Sequence, residues 1–325
     1  MPHPLPRRSF CALGLAALAP FAAASTAPPY PARPITLVVP YPAGGNGDNI
    51  ARVFAKKLAD HLNTPVVVDN KPGASGTIGA GQVHRAAPDG YTLLLTVTTQ
   101  LSSRVPGIKP GYNATEDFVP IVGLTIAPMA FVVPARLGVR SMQELEALTR
   151  QRPLSYGSYG VSTSTHIVQH LLLSQMKARD PVHVPYKGES PMVADMLGGQ
   201  IDMGLVGIGQ AREMEKSGRM HTLAVLGTQR SEFLPDVATL SEQGYKQMDW
   251  AYGTAVYGSA RLPANVLAKL REAGKTIMAD PDTQAQYRGQ SNQPWVNATV
   301  EELRQRLVAD TNNWNKVLAS VGALE

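Results

Sequence analysis

Two glycine-rich turns hold the residues of this chain best suited to chemistry. The first reads Pro40-Tyr41-Pro42-Ala43-Gly44-Gly45-Asn46-Gly47-Asp48. The second reads Tyr156-Gly157-Ser158-Tyr159-Gly160-Val161-Ser162-Thr163-Ser164. Each follows a short apolar run and opens a segment patterned as a helix, and neither contains Lys or Arg. The first backbone N–H groups of a helix lack intrahelical partners and lie at the positive end of its dipole, so such turns hold anions. Two of them predict two walls that share one small ligand. The first wall offers Tyr41, Pro42, Ala43, Gly44, Gly45, Asn46 and Asp48; the second offers Ser158, Tyr159, Gly160, Ser162 and Thr163. Asp48 falls in a first helical turn, where it either answers the dipole or meets a ligand amine. Thr98 follows the third predicted strand, at a carboxyl end where open α/β sheets bind ligands. Ala74, in the turn-rich loop Asn70–Gly76, is a further candidate ligand contact. Asp202 either caps a strand or orders a water in the cleft.

Other chemistries fit poorly. The glycine spacing is not G-x-G-x-x-G, and no P-loop lysine follows Gly47. Ser158 and His166 could suggest a nucleophile and its base, but no G-x-S-x-G elbow and no ordered third partner accompany them. His166 and His170 stand four apart, a metal-clamping interval, without the acidic neighbour of an H-E-x-x-H motif. They read as packing or surface histidines. Lys187 could face an anion, and Trp250, which could line the hinge or the cleft, reads rather as core packing. No catalytic residue, cofactor or metal site is expected.

The elements that must position these turns are legible from periodicity. Ile35–Val39 is a short β-branched run, typical of a parallel strand buried on both faces. After the first turn, Ile50, Val53, Phe54 and Leu58 recur at helical spacing. A strand at Pro65–Val68, a helix through Ile78 and Val83, and a strand at Tyr91–Val97 complete a βαβαβ unit, which implies a parallel sheet. The grammar repeats with strands at Met129–Val133, Leu154–Tyr156, Val182–Val184, Ile201–Val206 and His221–Leu226. Helices alternate at Ser141–Arg150, Thr165–Met176, Ser190–Leu197 and Gln210–Lys216. Ser141 and Glu144 have capping-box spacing. Ala251–Tyr257 reads as a returning strand, and Pro263–Ala279, Pro281–Arg288 and Val300–Val321 as helices. In the last of these, Leu303, Leu307, Trp314, Val317 and Val321 share one face.

The 325 residues, 44% of them hydrophobic, suffice for a substantial core. Arg7 and Arg8 before an Ala/Leu-rich stretch, with Ala22-Ala23-Ala24 ahead of Ser25, read as an export signal over residues 1–24. Arg7-Arg8-Ser9-Phe10 suits either twin-arginine or Sec export. The single cysteine, Cys11, lies in that signal, which removes disulfides and thiolate sites from the exported chain. The 30 basic and 25 acidic residues give +5, two units of which belong to the signal. The basic residues are scattered, so nucleic acid is not an expected partner.

Several stretches, in order, resemble the Bug family of periplasmic receptors, the substrate-binding components of tripartite tricarboxylate transporters. They include Val39-Pro40-Tyr41-Pro42-Ala43-Gly44-Gly45, Val67-Val68-Asp69-Asn70-Lys71-Pro72-Gly73 and Ala87-Pro88-Asp89-Gly90-Tyr91. Val184-Pro185-Tyr186-Lys187-Gly188 and Leu197-Gly198-Gly199-Gln200-Ile201-Asp202 continue the series. The resemblance implies a type II periplasmic-binding fold, α/β throughout, with two lobes joined by two crossover strands around a ligand cleft. It implies one lobe from residues 25–128 plus 255–325 and the other from 129–254. At Lys187 it implies a structural turn beside the cleft. It also implies a monomer in the periplasm that closes on a small organic acid or amino acid. Its partner would be a tripartite permease, or alternatively a sensor kinase. A third reading, an enzyme on the same two-lobed fold, meets the lack of cysteine in the exported chain. The chain departs from the family where a hydroxyl is expected at Gly47 and small residues at Tyr159 and Ser162. Asn46 keeps the capacity to cap the helix. Tyr159 either narrows the cleft or offers a phenol to the ligand.

Overall fold

A computed structural model describes residues 29–102, 109–248 and 252–320. The export signal, its cleavage point and Cys11, together with Trp250 and Val321, lie outside them. The strands are β1 (Ile35–Val39), β2 (Val66–Asn70), β3 (Thr92–Val97), β4 (Phe118–Ala127), β5 (Met129–Pro134), β6 (Ser155–Ser158), β7 (Val182–Pro185), β8 (Met203–Gly207), β9 (Met220–Leu226), β10 (Tyr252–Ser259) and β11 (Gln293–Pro294). The helices are α1 (Asn46–Leu62), α2 (Thr77–Arg85), α3 (Thr98–Leu101), α4 (Met142–Gln151), α5 (Ser164–Gln175), α6 (Glu189–Leu197), α7 (Ile208–Lys216), α8 (Ala264–Ala279), α9 (Pro281–Gly289) and α10 (Val300–Ser320).

The strands form two sheets, ordered β11-β4-β10-β3-β1-β2 and β7-β6-β8-β5-β9. Successive strand side chains point to opposite faces, and both faces of each sheet are covered. Ile35, Leu37 and Val39 enter one core, whereas Val38 enters another on the far side of β1. In the second sheet Met129, Phe131 and Val133 pack on one side and Ala130 and Val132 on the other. Continuous apolar runs, rather than alternating ones, are what such double burial requires.

The β2-β1-β3 unit is parallel, as the βαβαβ pattern implies. The rest of the first sheet is mixed, because β10 runs antiparallel between β3 and β4. In the second sheet β5 is antiparallel to both β8 and β9. Strand β4 escapes sequence reading because Pro120 and Gly123 interrupt its run, and its pairing with β10 shifts register twice. Only Pro128 separates β4 from β5, so the chain passes from one sheet to the other there without a loop. Strand β10 brings it back.

The capping box at α4 forms with one change. The Ser141 hydroxyl accepts the Glu144 N–H at 3.2 Å, but the Glu144 carboxylate reaches the N–H of Arg140 rather than that of Ser141. Leu303, Leu307 and Trp314 of α10 are buried as their spacing predicts.

Candidate functional site

The first turn leaves β1 and enters α1. Asp48 is buried in the first turn of α1, and three donors converge on it. The Gly44 N–H and the Arg52 guanidinium each donate to Oδ2 at 2.9 Å, and the Asn70 amide donates to Oδ1 at 2.9 Å. Burial pushes the carboxyl pKa up, but the bonds from Arg52, Gly44 and Asn70 outweigh it and hold Asp48 below the usual carboxylate range. Asp48 therefore fixes the turn, and both its oxygens have donors. Asn46 does not cap its helix. Gly45 stands at the cap position without a side-chain bond. Asn46 instead exchanges two amide hydrogen bonds with Asn292, at 3.1 and 2.9 Å. The N–H groups of Asn46 and Gly47 thus meet no acceptor among the described residues. A Cβ on Gly47 would fall 2.5 Å from the Tyr41 ring. The hydroxyl missing at this position is space that the ring fills. The Tyr41 hydroxyl accepts the Val97 N–H at 3.1 Å, and burial pushes its pKa up to about 12.

The second turn joins β6 to α5, and its side chains mostly serve the turn itself. Ser158 is fully buried, with its hydroxyl on the Gly160 carbonyl at 3.0 Å and 2.7 Å from His183 Nε2. Thr163 also donates to the Gly160 carbonyl, at 2.7 Å. Ser162 is left-handed, at φ 57°, and its N–H donates to His166 Nδ1 at 3.1 Å. Behind it the His166 and His183 rings stack, with centroids 3.6 Å apart and planes 8° from parallel. Burial and the neighbouring imidazoles push the two pKa values down, to about 3 for His166 and about 4 for His183. Both are neutral at neutral pH. The N–H groups of Ser164 and Thr165 open α5 with no acceptor among the described residues.

The two turns meet across one cavity of about 90 Å³. Tyr41, Pro42, Gly45 and Asn46 form one wall; Tyr159 and Thr163 belong to the other, together with Ser164 and Thr165. Val97, Pro128 and Met129 lie where the chain changes sheets. The lobes also touch each other directly. The Ser75 hydroxyl donates to the Val161 carbonyl at 2.7 Å, and Arg212 donates to the Ser291 hydroxyl at 2.7 Å. Arg288 pairs with Glu232 at 2.7 and 2.9 Å. Gly188, at φ +149°, lies so close to Pro42 that a Cβ would be 2.4 Å from its Cδ.

Other expected residues stand elsewhere. The Thr98 hydroxyl donates to Asp310 of α10 and is fully buried outside the cavity wall, because the carboxylate behind it outcompetes the cleft. Asp202 lies at the opening of β6, the opposite end of that strand from the second turn, where it accepts the Ser155 N–H at 2.9 Å. It fastens a strand. Ala43 is exposed, Gly44 faces an outer groove, and Ala74 is half-buried and does not line the cavity. Lys187 is exposed. Among the described residues, no group of side chains is placed to hold a metal ion, and no helix is long and apolar enough to cross a membrane.

Glu189 escapes the sequence reading. It opens α6 and is 8% exposed. Its Oε2 accepts the Tyr159 hydroxyl at 2.7 Å and the Gly207 N–H at 2.6 Å. The Tyr159 phenol is thus directed at Glu189. The available signal was an acid at the first helical position beyond Tyr186-Lys187-Gly188.

Two mixed α/β sheets with a cavity between their carboxyl-end turns define a two-lobed solute-binding protein. The family model described as "Tripartite tricarboxylate transporter family receptor" matches residues 50–322, and the chain belongs to that family of periplasmic receptors, which are binding proteins and not enzymes. BugT of Bordetella pertussis is 31% identical over 313 residues, covering 94% of this chain and 95% of BugT. The periplasmic binding protein BugD superposes with a TM-score of 0.84 at 29% identity, over 90% of this chain and 99% of its own. R. palustris Rpa4515, solved with adipate, gives a TM-score of 0.84 at 26% identity, over 90% and 98%.

Proposed function

We propose that the chain captures a small organic carboxylate between its lobes and delivers it, in the closed form, to the permease of a tripartite tricarboxylate-type transporter. One observation carries the reading. The N-termini of α1 and α5, from opposite lobes, face one cavity with unpaired N–H groups. Helix starts of this kind attract negative charge, and a group that bridges them favours the closed state over an open one. A ligand that binds only the closed form shifts the population towards it, and the joined surface of the two lobes becomes the signal a membrane partner can read. The adipate held by Rpa4515 supports the ligand class. Native mass spectrometry of the freshly exported protein is expected to show a co-purified small acid. Titration calorimetry with that acid is expected to give sub-millimolar affinity. Affinity no tighter than millimolar for every organic acid and amino acid tried would refute the reading.

A further inference from the structure

We propose that Glu189 makes this receptor selective for monocarboxylates that carry a hydrogen-bond donor, an ammonium above all, and against dicarboxylates. The inference rests on the receptor reading above and specifies its ligand. Glu189 is the only charged side chain among the described residues lining the cavity, and no Lys, Arg or His lines it. It is buried, and Oε2 is fully engaged by Tyr159 and Gly207. Its Oε1 accepts no hydrogen bond from any described residue. The cavity therefore holds both donors and an acceptor. The starts of α1 and α5 present donors without acceptors, whereas Glu189 already brings a carboxylate to the start of α7 by way of Gly207.

A ligand whose carboxylate settles at α1 and α5 meets Glu189 in the same cavity, beside the start of α1, where a Cβ built on Gly45 would lie 3.8 Å from the Glu189 Cβ. An ammonium, hydroxyl or amide N–H there gains a charge-assisted bond. A second carboxylate meets a like charge in a small, largely protein-walled space, where repulsion is less screened than in open water. Asp48 cannot take this role, since Arg52, Gly44 and Asn70 occupy both of its oxygens.

The test is calorimetry at neutral pH with matched pairs: β-alanine against malonate, γ-aminobutyrate against succinate, and ε-aminocaproate against adipate, with γ-hydroxybutyrate as a neutral donor. The wild-type protein should bind the amino acid of at least one pair about tenfold or more tighter than its dicarboxylate. Glu189→Gln, which keeps the shape and an acceptor for the Gly207 N–H, should erase that preference by weakening the amino acid and strengthening the dicarboxylate. A wild-type protein that binds the dicarboxylates as tightly as their partners overturns the proposal. So does a folded Glu189→Gln protein with an unchanged ratio. If Glu189→Gln fails to fold, the wild-type ratio alone decides. A co-purified acid found to be a dicarboxylate without a donor overturns this inference but leaves the receptor reading intact. Failure of every probe, with no co-purified acid, removes both.

Discussion

At the scale of single residues, the acids near the cleft divide the work by what surrounds them. Asp48 has three donors and fixes the first turn, whereas Glu189 lines the cavity with Tyr159 and Gly207 both donating to its Oε2. Asp48→Ala would strip the acceptor from the Gly44 N–H, the Asn70 amide and the Arg52 guanidinium. Hydrogen bonds to a charged group contribute about 1.5–3 kcal/mol each, so a loss of about 2 kcal/mol or more is expected in denaturant unfolding. The stacked histidines make a pH prediction. Their folded pKa values, about 3 and about 4, lie below the ordinary 6.5, so the unfolded chain takes up protons first as pH falls. The stability this neutral pair confers is full above pH 6.5 and declines as pH drops towards 4. Melting temperature measured from pH 7 downwards should fall across that window. His183→Asn, which keeps an acceptor for Ser158, should flatten the slope. A wild-type slope matched by the variant would refute the assignment.

At the scale of elements, the proposed binding falls to helix starts, and their neighbours set the shape. Gly47 admits the Tyr41 ring, so Gly47→Ala places a methyl where the ring lies. Overpacking of this kind costs about 1–3 kcal/mol, and ligand affinity should fall with stability, read by thermal unfolding and calorimetry together. Sequence periodicity revealed most of the scaffold here, because strands buried on both faces and amphipathic helices leave strong patterns. Ile35–Val39 and the Ile50/Val53/Phe54/Leu58 stripe show this plainly. Strand β4 was illegible because Pro120 and Gly123 break its run, and it gains its place only by pairing with a strand more than a hundred residues later. The backbone part of the site was legible for a related reason, since a glycine turn before a helix advertises its amides. The side-chain part was not. The hydroxyls of Ser158 and Thr163 answer the Gly160 carbonyl, an engagement set by how the turn folds back on itself. Glu189 becomes a cavity group only because α6 and α7 start side by side.

At the scale of the whole molecule, contacts away from the cavity also join the lobes, and in the proposed mechanism they help hold the closed form. Arg212 with Ser291 and Arg288 with Glu232 tie opposite lobes together. Arg288 and Glu232 are about half-exposed, where an ion pair contributes about 0–1 kcal/mol, and the exposed Arg212 adds a single hydrogen bond to the buried Ser291 hydroxyl. The double variant Arg212→Ala/Arg288→Ala should therefore weaken ligand binding by no more than about tenfold, mainly through faster release, without altering which ligand is preferred. The part due to Arg288 should shrink at about 1 M salt, where charges are screened within about 3 Å. Stopped-flow dissociation at low and high salt checks both statements.

Strand β10 sits between β3 and β4 although the whole second sheet precedes it in the chain. A polypeptide leaving the ribosome therefore completes every strand of β5 to β9 before the centre of the other sheet exists. Until residues beyond 251 have emerged, β3 and β4 lack the partner that joins them. A translation product cut short there would carry one finished half and one in which β3 and β4 expose open strand edges, the kind of surface that quality-control proteases and aggregation both find first.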